Sequence, residues 1–438
     1  MTQLSHDTAS TGSTGEHPAT HTAARAAKRA ADHVDAARLI DAIDALATIG
    51  ARGDGGVDRP ALSALDFSAR RGLIERAQAL GCTVSTDACA NLFFRRAGDA
   101  DLPPVMTGSH IDTQPTGGRL DGAYGVLAGF ECLAALADAN LRTRRPLEVA
   151  IWTNEEGSRF QPGAMGSSAF VDPSRLDSYR AVSDAAGVTF GATLDAHRSA
   201  FPTLATRAPG AVHAFIELHI EQGPLLELAA TPLGVVTGIQ GVRWHSIRCA
   251  GAAAHAGTTP MQVRRDAMTL AVRVRGAIEA FALELGGEAA RITFGSWHIE
   301  PNSINTIPSA VTFTVDFRHP EPAVLARFDA ALADCIAQHG ADVHLEPLFE
   351  HPPVHFADSA ISRVRAACEA LGARSQPIVS GAFHDALHLA KHCATAMIFV
   401  PSRGGISHNP LEATDDQHLV LGTRALAHCL VELCNEAP

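Results

Sequence analysis

Histidines and carboxylates follow the strand-like segments of this chain at intervals that suit metal-dependent chemistry. The run Val105–Glu131 opens with an apolar lead into His110 and continues through a glycine-rich loop that carries Asp112 and Asp121. Open α/β sheets place their chemistry at the carboxyl ends of strands, and His and Asp are ligand types that zinc accepts. On this stretch alone, a surface loop with incidental polar residues explains the pattern equally well.

Two adjacent carboxylates, Glu155 and Glu156, follow the clearest buried strand of the chain, 146–153. Neighbouring side chains diverge and like charges repel, so such a pair at a strand end is unusual unless the two residues have separate roles. One would bind a metal while the other moves a proton to or from the substrate. A solvated acidic turn is the alternative.

Two further strand-like segments lead into a histidine. His219 lies in the alternating segment 215–223, and His408 follows the apolar segment 396–400. A single histidine in a strand is more often an ordinary core or surface residue. The four strand ends together, however, supply enough His, Asp and Glu donors for a two-metal site in which one carboxylate bridges the ions.

Alternating strands and helices must position these loops. Periodicity predicts helices near 39–46, 68–80 and 124–136 and strands near 82–85, 91–95 and 146–153, which indicates an α/β fold with a mostly parallel sheet covered on both faces. A chain of 438 residues exceeds what one core organises, so two domains are expected. Residues 1–35 are poor in large apolar side chains, which predicts a disordered tail.

Composition argues against several functional classes. The chain has 46% hydrophobic and 19% charged residues, a net charge of -12 and no basic stripe, which argues against nucleic-acid binding. No apolar run reaches membrane-spanning length. The nine cysteines are scattered, odd in number and without a CxxC pair, which predicts reduced, mostly structural thiols and a cytoplasmic location.

The motifs also resemble a known family. Similarity to the amidase/hydantoinase/carbamoylase family is carried by GSHIDT, GGRLDGAYGVLAG, TNEEGSRF, ELHIEQG, HAGTTPM, SINTIPSAVTFTVDFRH, GAFHDA and FVPSRGGISHNPLE. This branch of the di-zinc aminoacylase–carboxypeptidase superfamily contains N-carbamoyl-L-amino acid hydrolases, β-ureidopropionases and allantoate amidohydrolases. The resemblance runs in order from about residue 38 to residue 433 and leaves out only the tail.

The resemblance implies a ligand set and a general base. The implied ligands are His110, Asp121 and His219 for one divalent ion and Asp121, Glu156 and His408 for a second. Asp121 would bridge the ions, Glu155 would take a proton from a metal-activated water, and Asp112 would orient His110. Zinc is the expected metal, with manganese or cobalt as alternatives, because all three accept these ligands.

The resemblance also implies an α+β lid inserted at 233–349 between two segments of the catalytic domain, 36–232 and 350–438. In relatives this lid makes the homodimer and closes over the active site. The substrate-binding residues carried over are Gln222, His255, Asn305, Arg318 and His384. Arg318 would bind a substrate carboxylate through its planar fork, with a strand-end salt bridge as the alternative. His255 would reach the partner's site and stabilise the carbonyl oxyanion.

The expected reaction is metal-dependent hydrolysis of a linear ureido or amide acid, first an N-carbamoyl-L-amino acid or N-carbamoyl-β-alanine. Allantoate is the alternative substrate, followed by the substrates of aminoacylases and dipeptidases. A non-catalytic binding protein on the same fold is the alternative from another class. Phe383 stands where many relatives have glycine, and Gln240 and Trp244 also depart from the pattern of allantoate enzymes. These departures favour a carbamoyl-amino-acid substrate and leave the size of the pocket open.

Overall fold

The computed structural model describes residues 18–437. The helices are α1 (Pro18–Asp32), α2 (Ala36–Ala47), α3 (Ala64–Ala79), α4 (Ala123–Asp138), α5 (Met165–Val171), α6 (Leu176–Arg180), α7 (Phe190–Ala200), α8 (Leu225–Leu228), α9 (Ala267–Gly286), α10 (Pro322–Ala337), α11 (Asp358–Ala370), α12 (Ala386–Leu389) and α13 (Asp416–Cys434). The first six strands are β1 (Thr83–Thr86), β2 (Leu92–Arg96), β3 (Val105–His110), β4 (Leu147–Trp152), β5 (Ala205–Thr206) and β6 (Ala214–Ile220). They are followed by β7 (Leu233–Ile239), β8 (Gly241–Ala250), β9 (Ala254–His255), β10 (Arg291–Thr293), β11 (Trp297–Glu300), β12 (Thr306–Ile307), β13 (Ala310–His319), β14 (Val343–His351), β15 (Val354–His355), β16 (Ser375–Ser380) and β17 (Ala394–Val400).

The larger sheet has the strand order β15-β7-β17-β6-β3-β4-β2-β1-β5, with β16 paired to β7. Its central strands β17, β6, β3 and β4 are parallel. Every residue of β3, β4 and β6 is buried, as expected for parallel strands covered on both faces. The predicted α/β class with a mostly parallel sheet is confirmed, and the carboxyl ends of these four strands share one edge.

The second sheet is antiparallel, with the order β10-β13-β8-β14 and β11 paired to β13. Helices α9 and α10 pack against it, and its core includes Phe313, Phe317 and Phe328. Side chains alternate between the two faces of a strand. Asp316 and Arg318 of β13 therefore lie on the face opposite the phenylalanine side chains, and both are half-buried.

The boundaries of the predicted lid differ from those of the observed sheets. Residues 233–239 fall inside the predicted lid, but they form β7 and pair with β17 and β16 in the larger sheet. The second sheet begins at Gly241 and extends through β14 to His351. An apolar strand pattern specifies a buried strand but not the sheet that accepts it, because the pairing is tertiary. The division into a catalytic and a lid domain stays a prediction.

Helix α1 corrects the predicted disordered tail for residues 18–32. Ala27, Ala30 and Ala31 are fully buried, and Nε of Arg424 in α13 donates to the carbonyl oxygen of Ala31 at 3.0 Å. Alanine has the highest helix propensity, and its small side chain lets two helices pack closely. The lack of large apolar residues was therefore a poor indicator of disorder here. Residues 1–17 lie outside the described part of the chain.

The cysteines have the properties of structural thiols. All nine are unpaired, and all except Cys393 are buried. Burial raises the pKa of Cys368 and of Cys393 to about 11, so both thiols are protonated and weakly nucleophilic at neutral pH. Within residues 18–437, no helix combines the length and apolar character needed to cross a membrane.

Candidate metal centre

The predicted ligands meet at the carboxyl edge of the larger sheet. His110 ends β3, and His219 is the penultimate residue of β6. The neighbouring strands β4 and β17 lead into the loops that carry Glu156 and His408. Because the four strands are adjacent and parallel, their following loops converge on a single region.

Asp121 lies at the centre of this group. Its Oδ1 is 3.2 Å from Nε2 of His219 and 3.6 Å from Nε2 of His110, and its Oδ2 is 3.2 Å from Nε2 of His408. Nε2 of His408 is also 3.4 Å from Oε2 of Glu156. Two sets of three residues share Asp121: His110, Asp121 and His219, and Asp121, Glu156 and His408. Within each set the donor atoms all lie within 4.8 Å of one another. The structure thus brings together the five residues that the resemblance implies.

Backbone contacts determine which ring nitrogens of His110 and His219 are available. Nδ1 of His110 is 2.9 Å from the carbonyl oxygen of Asp112, and Nδ1 of His219 is 2.9 Å from that of Ile220. Since a carbonyl only accepts, each Nδ1 carries a proton, and the neutral form of each ring therefore has its lone pair on Nε2. Both Nε2 atoms lie close to the carboxylate of Asp121, and that of His219 also accepts from the backbone amide of Gly122 at 3.1 Å. A neutral ring in this position would repel the carboxylate unless a proton or a cation lay between them. The donor set therefore fits a divalent metal ion.

Asp112 contacts His110 through its backbone carbonyl and not through its carboxylate. Its carboxylate is 3.9 Å from Nδ1 of His110, which exceeds hydrogen-bond distance, so its carbonyl is the group that orients the imidazole. The carboxylate oxygens instead accept from the backbone amides of Glu155 at 3.3 Å and Glu156 at 3.2 Å. One residue therefore positions a histidine ligand and also the turn that carries the two glutamates.

The turn after β4 sends Glu155 and Glu156 to different partners. Asn154 precedes them with a φ of 58°, a left-handed conformation that asparagine adopts more readily than most residues. Oε2 of Glu155 is 3.4 Å from Nε2 of His110. Oε2 of Glu156 accepts from Nε2 of Gln114 at 2.8 Å and lies beside His408. The adjacent carboxylates thus occupy separate environments, as separate roles require.

The acidic groups are buried close to one another, and this shifts their proton affinities. Burial raises the pKa of Glu156 to about 7, with a further increase from the charge of Asp121. Burial also raises the pKa of Glu155 well above its ordinary value, against the attraction of His110. At Asp121 burial acts in the same direction, but contacts with three histidines outweigh it and hold the pKa well below the usual range. Buried carboxylates at this density are normally paired or coordinate a metal.

Some supporting residues were not predicted. They are Gln114, Glu217, Asp385 and Glu412, and each lies within four residues of a predicted site residue. Oε1 of Glu412 accepts from the backbone amide of Asp121 at 3.1 Å and so positions the shared carboxylate. Oε1 of Glu217 accepts from the hydroxyl of Ser109 at 2.8 Å, and its Oε2 accepts from the amide of Ala386 at 3.0 Å. Three of them lie inside the motifs and Gln114 directly follows GSHIDT, which was the available signal.

Gln222 and His384 lie next to the ligands. Nε2 of Gln222 donates to Oδ2 of Asp121 at 2.9 Å. The rings of His384 and His219 have centroids 4.6 Å apart in an edge-to-face arrangement. His384 also forms a third close donor group with Glu217 and His219. Because both oxygens of Glu217 already accept hydrogen bonds, this third group is a weaker candidate for a metal than the two that share Asp121.

A cavity of about 570 Å³ extends from these residues to the second sheet. His408 and Gln222 line it on one side, and Asp316 and Arg318 of β13 line it on the other. Its volume suits a small-molecule ligand. The ring of Phe383 packs instead against Phe349 and His351, with centroids 6.1 Å and 5.6 Å apart. The phenylalanine that departs from the family pattern therefore contacts the second sheet and is not among the residues that line this cavity.

Arg318 makes the strand-end salt bridge that was the alternative interpretation. Its Nε and Nη2 donate to the carboxylate of Asp316 at 3.0 Å and 2.8 Å, and its Nη1 donates to the carbonyl oxygen of Gly381 at 2.9 Å. These contacts use three of the five guanidinium N–H groups. One N–H on each terminal nitrogen is left, so the salt bridge and carboxylate binding are compatible.

His255 and Asn305 lie together but apart from the ligand group. Pairing of β9 with β12 places His255 opposite Thr306, and the amide of Ala256 donates to the carbonyl oxygen of Asn305 at 3.0 Å. Both side chains are exposed. Among the contacts within residues 18–437 of a single chain, neither side chain touches the metal ligands. Contacts within the single chain therefore do not supply their predicted roles.

Comparison with known proteins identifies the family of this chain. The model of peptidase family M20/M25/M40 matches residues 106–432. An N-carbamoyl-L-amino-acid amidohydrolase of Rhizobium meliloti is 36% identical over 91% of this chain and 96% of that protein, and an allantoate amidohydrolase of Bacillus subtilis is 34% identical over 90% and 97%. The crystal structure of a hydantoinase/carbamoylase-family amidase from Burkholderia multivorans has a TM-score of 0.88 at 44% identity, covering 92% of this chain and 98% of that one. The chain therefore belongs to peptidase family M20/M25/M40, in the branch of the hydantoinase/carbamoylase amidases that its motifs indicated.

Proposed function

We propose that this protein is a metal-dependent amidohydrolase that cleaves linear ureido acids, with N-carbamoyl-L-amino acids or N-carbamoyl-β-alanine as substrates. The observation that carries the proposal is the pair of donor groups sharing Asp121, with Glu155 in contact with the ligand His110. Carbamoyl-amino-acid hydrolases among the relatives support this substrate class. An intact ligand set beside a buried general base argues against a protein that only binds.

The ligands would hold two divalent ions, with zinc expected and manganese or cobalt as alternatives. The first ion would be held by His110, Asp121 and His219, and the second by Asp121, Glu156 and His408. When bound, these ions would polarise the scissile carbonyl and lower the pKa of a nearby water. The sharing of Asp121 by both groups supports a centre with two ions.

Glu155 is the proton carrier in this mechanism. Burial raises its pKa, so its carboxylate is a better proton acceptor than an exposed glutamate. It would take a proton from water as the water oxygen bonds to the ureido carbon, and it would return that proton to the leaving nitrogen as the carbon–nitrogen bond breaks. The products are the free amino acid and carbamic acid, which decomposes to ammonia and carbon dioxide. Gln222 and His384 would contact the ureido group, and Arg318 the carboxylate.

Two further proposals concern the state of the protein. A homodimer is expected because His255 and Asn305 are exposed and separated from the ligands within one chain. A reducing compartment such as the cytoplasm is supported by nine unpaired, mostly buried cysteines. The expected partners are a small ureido or amide acid and a second copy of the chain.

Ammonia release from a substrate panel tests the proposed function. The metal-loaded enzyme is expected to hydrolyse N-carbamoyl-L-amino acids or N-carbamoyl-β-alanine with a kcat/KM at least about tenfold above that for allantoate. Chelator-treated enzyme is the control and should lose activity. A higher kcat/KM for allantoate would support the alternative that the Bacillus subtilis relative suggests. Absence of turnover with every ureido acid, at verified metal content, would reject the proposal.

Glu155→Gln is expected to fold and retain its metal ions but to lose turnover. Glutamine keeps the size of the side chain and leaves the neighbouring ligand Glu156 in place, while general-base assistance is worth on the order of 10²–10⁴ in rate. Circular dichroism, metal analysis and kcat on the best panel substrate measure these three properties. A kcat above about half of the wild-type value would remove Glu155 from the mechanism.

Asp121→Ala is expected to lower metal occupancy below that of His408→Ala, because Asp121 belongs to both donor groups. Metal analysis of chelator-washed and reconstituted protein measures the difference. The matched control is Asp177→Ala, which removes an exposed aspartate from α6 and should retain full occupancy. Two ions per subunit in Asp121→Ala would contradict the bridging role.

Subunit mixing tests whether His255 serves the neighbouring active site. Glu155→Gln and His255→Ala are each expected to be inactive, but a heterodimer would contain one site with both residues intact and one that lacks both. Random exchange would produce about half heterodimers in a twofold-symmetric dimer, so about a quarter of all sites should recover activity. If exchange is verified and activity stays at the parental level, His255 does not act across the interface.

A further inference from the structure

A second arginine faces the cavity beside Arg318. Arg291 of β10 lies directly opposite Arg318 of β13 in the antiparallel register, and both residues line the cavity. Directly opposed residues in antiparallel strands project from the same face, with their Cβ atoms about 4.5–5.5 Å apart. Two guanidinium groups therefore share one region of the cavity wall.

The protein itself offsets only one of these two charges. Asp316 forms a salt bridge with Arg318 at 2.8 Å. Nη1 of Arg291 donates to the backbone carbonyl oxygens of Glu288 and Ala290 at 2.8 Å and 2.9 Å, and no carboxylate in the described part of the chain forms a salt bridge with it. Like charges directly opposite each other in a sheet are destabilising. An anion bound between the two arginines would relieve this repulsion.

The other acidic residue that lines the cavity is already engaged. The oxygens of Glu221 accept from the backbone amides of Leu225 and Leu226 at 2.7 Å and 2.8 Å. Glu221 is therefore held at the first turn of α8 and does not pair with Arg291. Thr293, which lies opposite Asp316, adds a further polar group to the same wall. This part of the cavity is built from polar side chains, and Arg291 is the arginine there that has no carboxylate partner within the described residues.

We propose that Arg291 and Arg318 form a paired anion site, and that the substrate is a ureido acid with a second carboxylate in its side chain. This inference rests on the proposed function and narrows it to N-carbamoyl derivatives of acidic amino acids. The terminal N–H groups of Arg318 would bind the α-carboxylate, and Arg291 would bind the side-chain carboxylate. Guanidinium–carboxylate hydrogen bonds are charge-assisted and bidentate. A substrate with an apolar side chain would displace water from Arg291 without supplying a partner.

Binding to the inactive, metal-loaded Glu155→Gln protein tests this site without turnover. The probes are N-carbamoyl-L-glutamate and N-carbamoyl-L-glutamine, which have nearly the same shape and differ by one charge. Isothermal titration is expected to give at least about a tenfold lower Kd for the glutamate derivative, because a charge-assisted pair replaces a neutral contact. Adding Arg291→Gln should reduce this ratio to about twofold or less and leave the Kd of the glutamine derivative nearly unchanged.

Arg273→Gln in the same background is the matched control. It removes an exposed positive charge from α9, outside the cavity lining, and should preserve the tenfold ratio. The inference is overturned if the two probes bind equally, if Arg291→Gln keeps the preference, or if Arg273→Gln abolishes it to the same extent. The two proposals can also fail separately. If the binding preference depends on Arg291 but the wild-type enzyme releases no ammonia from carbamoyl amino acids, the proposed function is rejected and the anion site is retained.

Discussion

The arrangement of the candidate site depends on one buried carboxylate, that of Asp121, which lies between three histidines. Nε2 of His110 and Nε2 of His219 face this carboxylate, and the carboxyl groups of Glu155 and Glu156 lie beside His110 and His408. Such an arrangement requires a proton or a cation between the groups, because lone pairs and carboxylates repel at low dielectric. The parallel sheet makes this arrangement possible, because the carboxyl ends of four adjacent strands place these side chains close together. The strands themselves are held in place by their burial in the core.

Backbone groups and a carboxylate orient the predicted ligands. The carbonyl of Asp112 orients His110, and the carboxylate of the same residue holds the glutamate turn. Some loop residues near the centre adopt the left-handed region without being glycine: φ is 59° at Gln222 and 53° at His408. Such conformations cost free energy and persist only where neighbouring contacts determine them. The free energy of folding therefore maintains these strained conformations, and the site is arranged before any substrate binds.

The second sheet contributes a charged wall to the same cavity. β13 has apolar side chains toward α9 and α10 on one face and Asp316 and Arg318 on the other, so a single strand stabilises a core and lines a cavity. The hydrogen bond from Arg318 to Gly381 joins this sheet to the loop that carries His384. This hydrogen bond therefore fixes the position of Arg318, and of any carboxylate bound to it, relative to His384.

Residue types and their strand-end positions were sufficient to predict the α/β class and to single out the histidines and carboxylates that the structure brings together, because donor chemistry and hydrophobic periodicity are local properties of the chain. The tertiary structure decided which partners these residues have. It placed β7 in the larger sheet, packed α1 against α13, paired Arg318 with Asp316 and set Arg291 opposite Arg318. Periodicity specifies the face on which a side chain lies but not the strand or helix that meets it, since that contact joins residues far apart in the sequence. The same limit applies to Asp112: its position beside His110 was evident from the motif, but only the folded turn determined that its carbonyl, and not its carboxylate, contacts the imidazole.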